Sequence, residues 1–434
     1  MTGLRDALAD IAERAPEVRV PAGFYRAARR RHRLRLAGSA AATLAVLVIA
    51  TLFTPVMLPA DGPDGVGSAP AGLPERIAMP PWWTETVQGE PAGPASVVFS
   101  AVDGLPQADH EDFAWTTWWR SGYTVYPSVV VGLRGDAYRV VRGAYTVGTE
   151  LSPDGRYLLL DSKRVLDLTT GRARRVLPAN PRTYTAGAWS ADGTRILYVE
   201  DTLTTVVAWP SGRVEATFTH PDQRPIDKDL ALSPDGSVLL VNSNEAMSAY
   251  RGDGTRLWTH AGNRDRLGGR AAWRDDRRLA TFQRTDLACD TCGVHPGTWR
   301  LTFVDAATGV AVAGPEYPAL RSALDVRILV WRADVAYAVV TYSRDGTDET
   351  DRVELVRLDP GAPAAAPVLT APAGANSMTA ATDHVDARRP TGEPGYGFNG
   401  REVAGVVVTG ALCLAPFVGL MVLFVVLGRR VRAG

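Results

Sequence analysis

The chain repeats a polar corner followed by an apolar run, at a spacing that few folds can use. Five rows align on it: ELSPDGRYLLL (150–160), AWSADGTRILYV (188–199), ALSPDGSVLLV (231–241), AWRDDRRLATF (272–282) and VWRADVAYAVV (330–340). Each has Leu or Trp, a polar residue, any residue, Asp, and then a strand-like run. The polar residue is in turn Ser152, Ser190, Ser233, Arg274 and Arg332, giving spacings of 38, 43, 41 and 58. A unit of about 40 residues built from short strands has the size of a four-stranded propeller blade.

The remainder of each row completes the unit. A further strand and turn follow in RVLDLTTG (164–171), TVVAWPSG (205–212), MSAYRGDG (247–254), LTFVDAATG (301–309) and VELVRLDPG (353–361), and then a short outer strand. The corners read as structural. Pro153 and Pro234 fix φ, and Ser152, Asp154, Asp192 and Asp235 sit where side chains bond nearby backbone N–H groups. Gly155, Gly193 and Gly236 release the chain into the next strand. A looser unit lies in 95–145, giving an all-β propeller of six four-stranded antiparallel blades. A seventh forms if 76–94 pairs with the chain after 368.

These corner and turn motifs resemble those of WD-repeat-like and periplasmic Tol-type β-propellers, whose blades carry SPDG and TG turns at these offsets. The resemblance covers 147–371. Rows four and five lose the Pro and Gly of the corner, and the terminal Trp-Asp pair of true WD repeats is absent. The resemblance implies a bacterial β-propeller, a fold that serves as a binding platform.

Two uncharged apolar segments, 36–58 and 403–428, are each long enough to cross a bilayer as a helix. RAARRRHRLR precedes the first and RRVR follows the second, which by the positive-inside rule puts both ends in the cytoplasm. The expected organisation is a cytoplasmic segment with a short amphipathic helix (1–35), a transmembrane helix (36–58), and a linker (59–75). An extracytoplasmic propeller (76–372), a linker or propeller-closing segment (373–402), a second transmembrane helix (403–428) and a cytoplasmic tail (429–434) follow. The inner membrane is then a partner and the location. Equal numbers of basic and acidic residues, 47 each, give no reason to expect nucleic-acid binding.

The places where the repeat breaks are the candidate sites. Cys289 and Cys292 form CDTC in an insertion and, outside the cytoplasm, are expected to be joined as a disulfide. With only His295 nearby they make an incomplete metal site, so no metal or cofactor is expected. Asp345 and Asp348 lie in an acidic tip, DGTDETD. Trp82, Trp83, Trp115, Trp118 and Trp119 concentrate aromatic side chains that either pack under the first blade or form a surface for contacts with a partner. No G-x-S-x-G, Walker loop or H-E-x-x-H occurs, so no catalytic residue is assigned. The reading is a non-catalytic binding platform for a ligand, an envelope component or a protein. The alternatives are a signalling protein coupled to a cytoplasmic partner through 1–35, and a propeller hydrolase or redox enzyme.

Overall fold

Apart from one 3-10 turn, the elements of the described chain are strands. The computed structural model describes residues 70–398, except 82, 102–127, 142–148, 161–163, 178–186, 201, 221–228, 244–245, 262–263 and 287–295. After β1 (Leu73–Pro74) come β2 (Ala95–Ala101), β3 (Ser128–Gly132) and β4 (Tyr138–Val141). Next are β5 (Glu150–Leu151), β6 (Tyr157–Leu159), β7 (Arg164–Asp167) and β8 (Arg172–Arg175), then β9 (Gly187–Trp189), β10 (Arg195–Glu200), β11 (Leu203–Ala208) and β12 (Val214–Thr219). β13 (Leu230–Leu232), β14 (Val238–Asn242), β15 (Ala246–Arg251) and β16 (Arg256–Ala261) follow. The later strands are β17 (Asp265–Leu267), β18 (Arg278–Arg284), β19 (Gly297–Asp305), β20 (Ala311–Val312), β21 (Leu320–Arg332), β22 (Val335–Ser343), β23 (Thr350–Leu358) and β24 (Ala366–Thr370). β25 (Ala375–Ala380), the 3-10 turn (Thr382–His384) and β26 (Arg388–Arg389) end the described chain.

β5–β8, β9–β12 and β13–β16 are three four-stranded antiparallel sheets, each in chain order. Another, the first sheet in chain order, with β5–β8 the second, has the order β25-β2-β3-β4, so its first position is filled from the far end of the sequence. Val97 pairs with Ala380 and Phe99 with Met378, closing the ring. β17–β24 form one eight-stranded sheet, here called the double sheet, and β1 pairs in parallel with β26.

This corrects the expected set of six or seven separate four-stranded blades. Four blades stand alone and the other strands share a sheet, because β20 is two residues long and pairs only with Phe303 and Val304 of β19. The start of the 13-residue β21 takes the rest of that edge, Gly297 facing Ala323 and Trp299 facing Leu320. Residues 76–94 do not build a seventh blade; the C-terminal strand completes the first sheet instead.

The flanking transmembrane helices are also corrected. No helix among the described residues is long and apolar enough to cross a membrane, and the 3-10 turn spans three residues. Segments 36–58 and 403–428, and the amphipathic helix placed in 1–35, lie outside the described residues. The two spans, the membrane as partner, the inner-membrane location with both termini cytoplasmic, and the extracytoplasmic placement of the propeller are therefore withdrawn.

The apolar runs are continuous because both faces of most strands are buried. Successive side chains point to opposite faces, and here they enter two different cores. Val97 and Phe99 pack against Val339 and Leu355 of the double sheet, whereas Val98 packs with Leu151 and Leu158. Leu159 joins Trp189 and Ile196, while Leu197 joins Leu239 and Val241. Leu240 meets Leu279, and Phe282 meets Val326 and Ile328 within the double sheet. The core is thus a succession of apolar layers around the ring. Each fully buried Leu or Val contributes roughly 1.5–3 kcal/mol.

Candidate functional site

The corners use their own polar groups. Ser152 Oγ donates to Asp154 Oδ1 at 2.5 Å and accepts from Tyr157 N at 2.9 Å, while Arg156 N donates to Asp154 Oδ1. The same bonds recur at Ser190 and Asp192 and at Ser233 and Asp235. Hydrogen bonds from Ser233 and Ser237 hold the Asp235 carboxyl below its usual range. At Asp192 burial opposes, but bonds from Ser190 and Thr194 outweigh it and hold the carboxyl down.

The corners also interlock. Asp383 N donates to Pro153 O, Gly193 sits against the Pro153 ring, and Arg195 reaches Pro234 O. Arg274 pairs with Asp334 at 2.7 Å, and Arg332 pairs with Asp386 and donates to Thr382 O. One face of the ring is therefore a belt of corners. Because each sheet is antiparallel, the second-to-third-strand and sheet-to-sheet connections join strand ends at the opposite face.

Charged groups from several sheets meet where the innermost strands converge. Glu150 opens β5, Asp229 precedes β13, Arg266 lies in β17, and Asp325 and Arg327 lie in β21. Arg270 follows the Gly268–Gly269 pair in a turn closed by Ala272 N donating to Gly269 O at 3.0 Å. Its side chain reaches from the double sheet to the second sheet, where Nη1 donates to Leu151 O at 2.8 Å and lies 3.9 Å from Glu150 Oε2. Glu150 is fixed in turn by Trp189, whose backbone N–H donates to Oε2 and whose indole donates to the Glu150 carbonyl.

Asp325 sits between two guanidiniums, 3.1 Å from Arg266 Nη1 and 3.1 Å from Arg327 Nε. Asp229 accepts from Asn242 Nδ2 at 3.0 Å. Burial, reinforced by the Asp325 charge, pushes the Asp229 carboxyl up to about 6. Arg270 is only 4 % exposed. Its Nε and Nη2 have no acceptor in the protein, and burial lowers its pKa although Glu150 opposes that shift. A buried guanidinium with two idle donors is a costly feature for a fold to retain.

Most of the sequence-derived candidates fall outside the described residues. Cys289 and Cys292, with His295, and Trp82, Trp115, Trp118 and Trp119 lie outside the described residues. Trp83 is half-buried. Asp345 and Asp348 are exposed on the hairpin tip between β22 and β23, where Arg344 pairs with Glu349 at 3.4 Å. The tip borders a surface groove of about 590 Å³ that Arg321, Ser322 and Arg352 also line. Among the described residues no three His, Cys, Asp or Glu side chains form a metal-binding group. Little in the sequence marks the axial groups: Glu150 and Asp229 stand at or beside short apolar strands, while Arg266, Asp325 and Arg327 lie within strands. The one available signal is DVR at 325–327, two charges inside a strand whose neighbours Leu324 and Ile328 are apolar.

No known protein family and no curated protein matches the chain. Solved structures similar to it include hydrazine synthase from Kuenenia stuttgartiensis, at 13% identity and TM-score 0.33, covering 50% of this chain and 63% of that one. Also similar are a putative TolB from Agrobacterium tumefaciens (19%, TM-score 0.30, 43% and 72% of the two chains) and an oligogalacturonate lyase from Vibrio parahaemolyticus (11%, TM-score 0.32, 64% and 87%). The chain thus spans less than two thirds of the length of the hydrazine synthase chain.

Proposed function

We propose that this propeller is a binding protein that performs no chemistry of its own and holds a polar ligand at its axis. The observation that carries the reading is that Glu150, Asp229, Arg266, Arg270, Asp325 and Arg327, drawn from several sheets, come together as one group of interacting charges. Buried ion pairs of this kind add little stability compared with apolar residues of the same volume. Strongly shifted and unsatisfied ionisable groups in one place are a mark of binding and active sites. The hydroxyl–carboxylate pairs Thr194–Asp192 and Ser237–Asp235 lie within the corner turns. The corner serines are bonded within their turns, and His220, 2.9 Å from Thr204 Oγ1, is fully buried. Signalling through 1–35 depended on the two spans and is withdrawn with them.

The reading is tested by thermal-shift screening of the full chain against a library of small polar metabolites, beside Arg327→Gln. Compounds that stabilise the wild type and lose their effect in the variant support axial binding. A library that stabilises neither protein, or hits indifferent to Arg327→Gln, refutes it.

A further inference from the structure

The unpaired donors on Arg270 are a matched pair. A guanidinium offers Nε–H and one Nη–H side by side on one edge, a fork that fits the two oxygens of a carboxylate. In Arg270 the other amino group, Nη1, is occupied by Leu151 O and faces Glu150. The unoccupied donors are Nε and Nη2, the pair that makes up the fork. The side chain is thereby held across the ring by one nitrogen, with its two-pronged edge left over. Such preorganisation is what a binding group requires, since little rotamer freedom remains to be lost when a ligand arrives.

We propose that Arg270 is a carboxylate-binding subsite, its Nε–H and Nη2–H each donating to one oxygen of a small monocarboxylate held at the axis. The proposal rests on the axial-binding reading above and adds the ligand class. The surroundings limit the charge accepted. Arg266 and Arg327 supply positive charge, while Glu150, Asp229, Asp325 and Asp383 supply negative charge, the last acting on Arg270 from the 3-10 turn. A ligand carrying one negative charge meets its partner in Arg270, whereas each further charge adds repulsion from four acids. A neutral amide of the same shape offers one acceptor oxygen and an N–H₂ that faces two donors, leaving one prong unpaired.

The test uses the full wild-type chain with propionate, propionamide and inorganic phosphate, followed by saturation-transfer NMR. Propionate is expected to bind about 10- to 100-fold more tightly than propionamide, the range for gaining a charge-assisted hydrogen bond and leaving no donor buried and idle. Arg270→Lys, which keeps the charge and loses the fork, is expected to weaken propionate about 10-fold, with the strand signal in circular dichroism unchanged. If that variant does not fold, the acid–amide comparison on the wild type decides alone. Equal affinity for acid and amide, or tighter binding of phosphate than of propionate, overturns the carboxylate assignment. Axial ligands that depend on Arg327 but not on Arg270 overturn it as well and leave the binding reading standing. Failure of all three compounds overturns the carboxylate assignment, and the axial-binding reading then stands or falls with the metabolite library.

Discussion

Gly155 and Gly361 have the same backbone conformation, with φ of 74° at each, and opposite surroundings. A Cβ on Gly361 would meet nothing within 4 Å. A Cβ on Gly155 would stand 2.1 Å from Ala95 O and 3.1 Å from the Ala381 Cβ. Alanine at either position takes the left-handed penalty of roughly 1–2 kcal/mol, of which about 0.4–1 kcal/mol is recovered by stiffening the unfolded chain. Gly361→Ala should therefore destabilise by about 1 kcal/mol. At Gly155 the backbone of β2 must also move by more than an ångström. That sacrifices the bond from Ala95 N to Gly155 O (2.7 Å), worth about 0.5–1.5 kcal/mol, and adds about 1–3 kcal/mol of overpacking. Gly155→Ala should thus destabilise by about 3–5 kcal/mol in equilibrium urea unfolding. The extra loss should also loosen β25, because Ala381 follows it, making the variant more prone to proteolysis near 375–385. Equal destabilisation by the two alanines would refute the packing of this corner against the first sheet.

Other substitutions probe the closure and the axis. Arg389 and Asp136 form a pair at 2.8 Å with side chains 3 % and 1 % exposed; Arg389→Gln strands a buried carboxylate and should cost about 3–5 kcal/mol, while adding Asp136→Asn should recover part of it in the same unfolding assay. Asp229 is shifted upward, mainly by burial and then by Asp325, with Arg266, Arg327 and Asn242 opposing. The folded state therefore holds its proton more tightly than an unfolded Asp does. Its contribution to stability is full below about pH 4 and disappears as pH rises through about 6. Asp229→Asn should lack this decline, so the stability of wild type relative to the variant should fall between pH 4 and 6; a constant difference contradicts the shift. Ser233→Ala removes the acceptor for Val238 N and the donor to Asp235, and should lower stability by about 1–3 kcal/mol, against at most a few tenths for Ser211→Ala on an exposed turn.

The parts of the fold legible in the sequence are those set by local chemistry. Ser-Pro-Asp-Gly at 152–155 and its relatives are turns that bond within themselves, so their residues suffice to recognise them. The runs after them are apolar on both faces because each strand serves two cores, and this too appears in the residues. The count and closure of the sheets depend on long-range pairing. Nothing in Ala375–Ala380 announces that it belongs beside Ala95–Ala101, or that the short β20 will leave an edge for β21. For the apolar segments at 36–58 and 403–428 hydropathy marks only length and lack of charge, and both lie outside the described residues. The axial site was illegible for a related reason. Arg270 is one arginine among many until the ring brings it to Leu151, 119 residues away in sequence.

The central claim, that the axis binds a polar ligand through Arg270, is tested most directly by observing the Arg270 Nε–H itself. In side-chain ¹⁵N NMR of the full chain, with the resonance assigned by its loss in Arg270→Lys, propionate should shift the Nε–H signal saturably while propionamide leaves it nearly in place. An Nε–H signal that stays unmoved while propionate saturates the protein would place the ligand elsewhere and contradict the account.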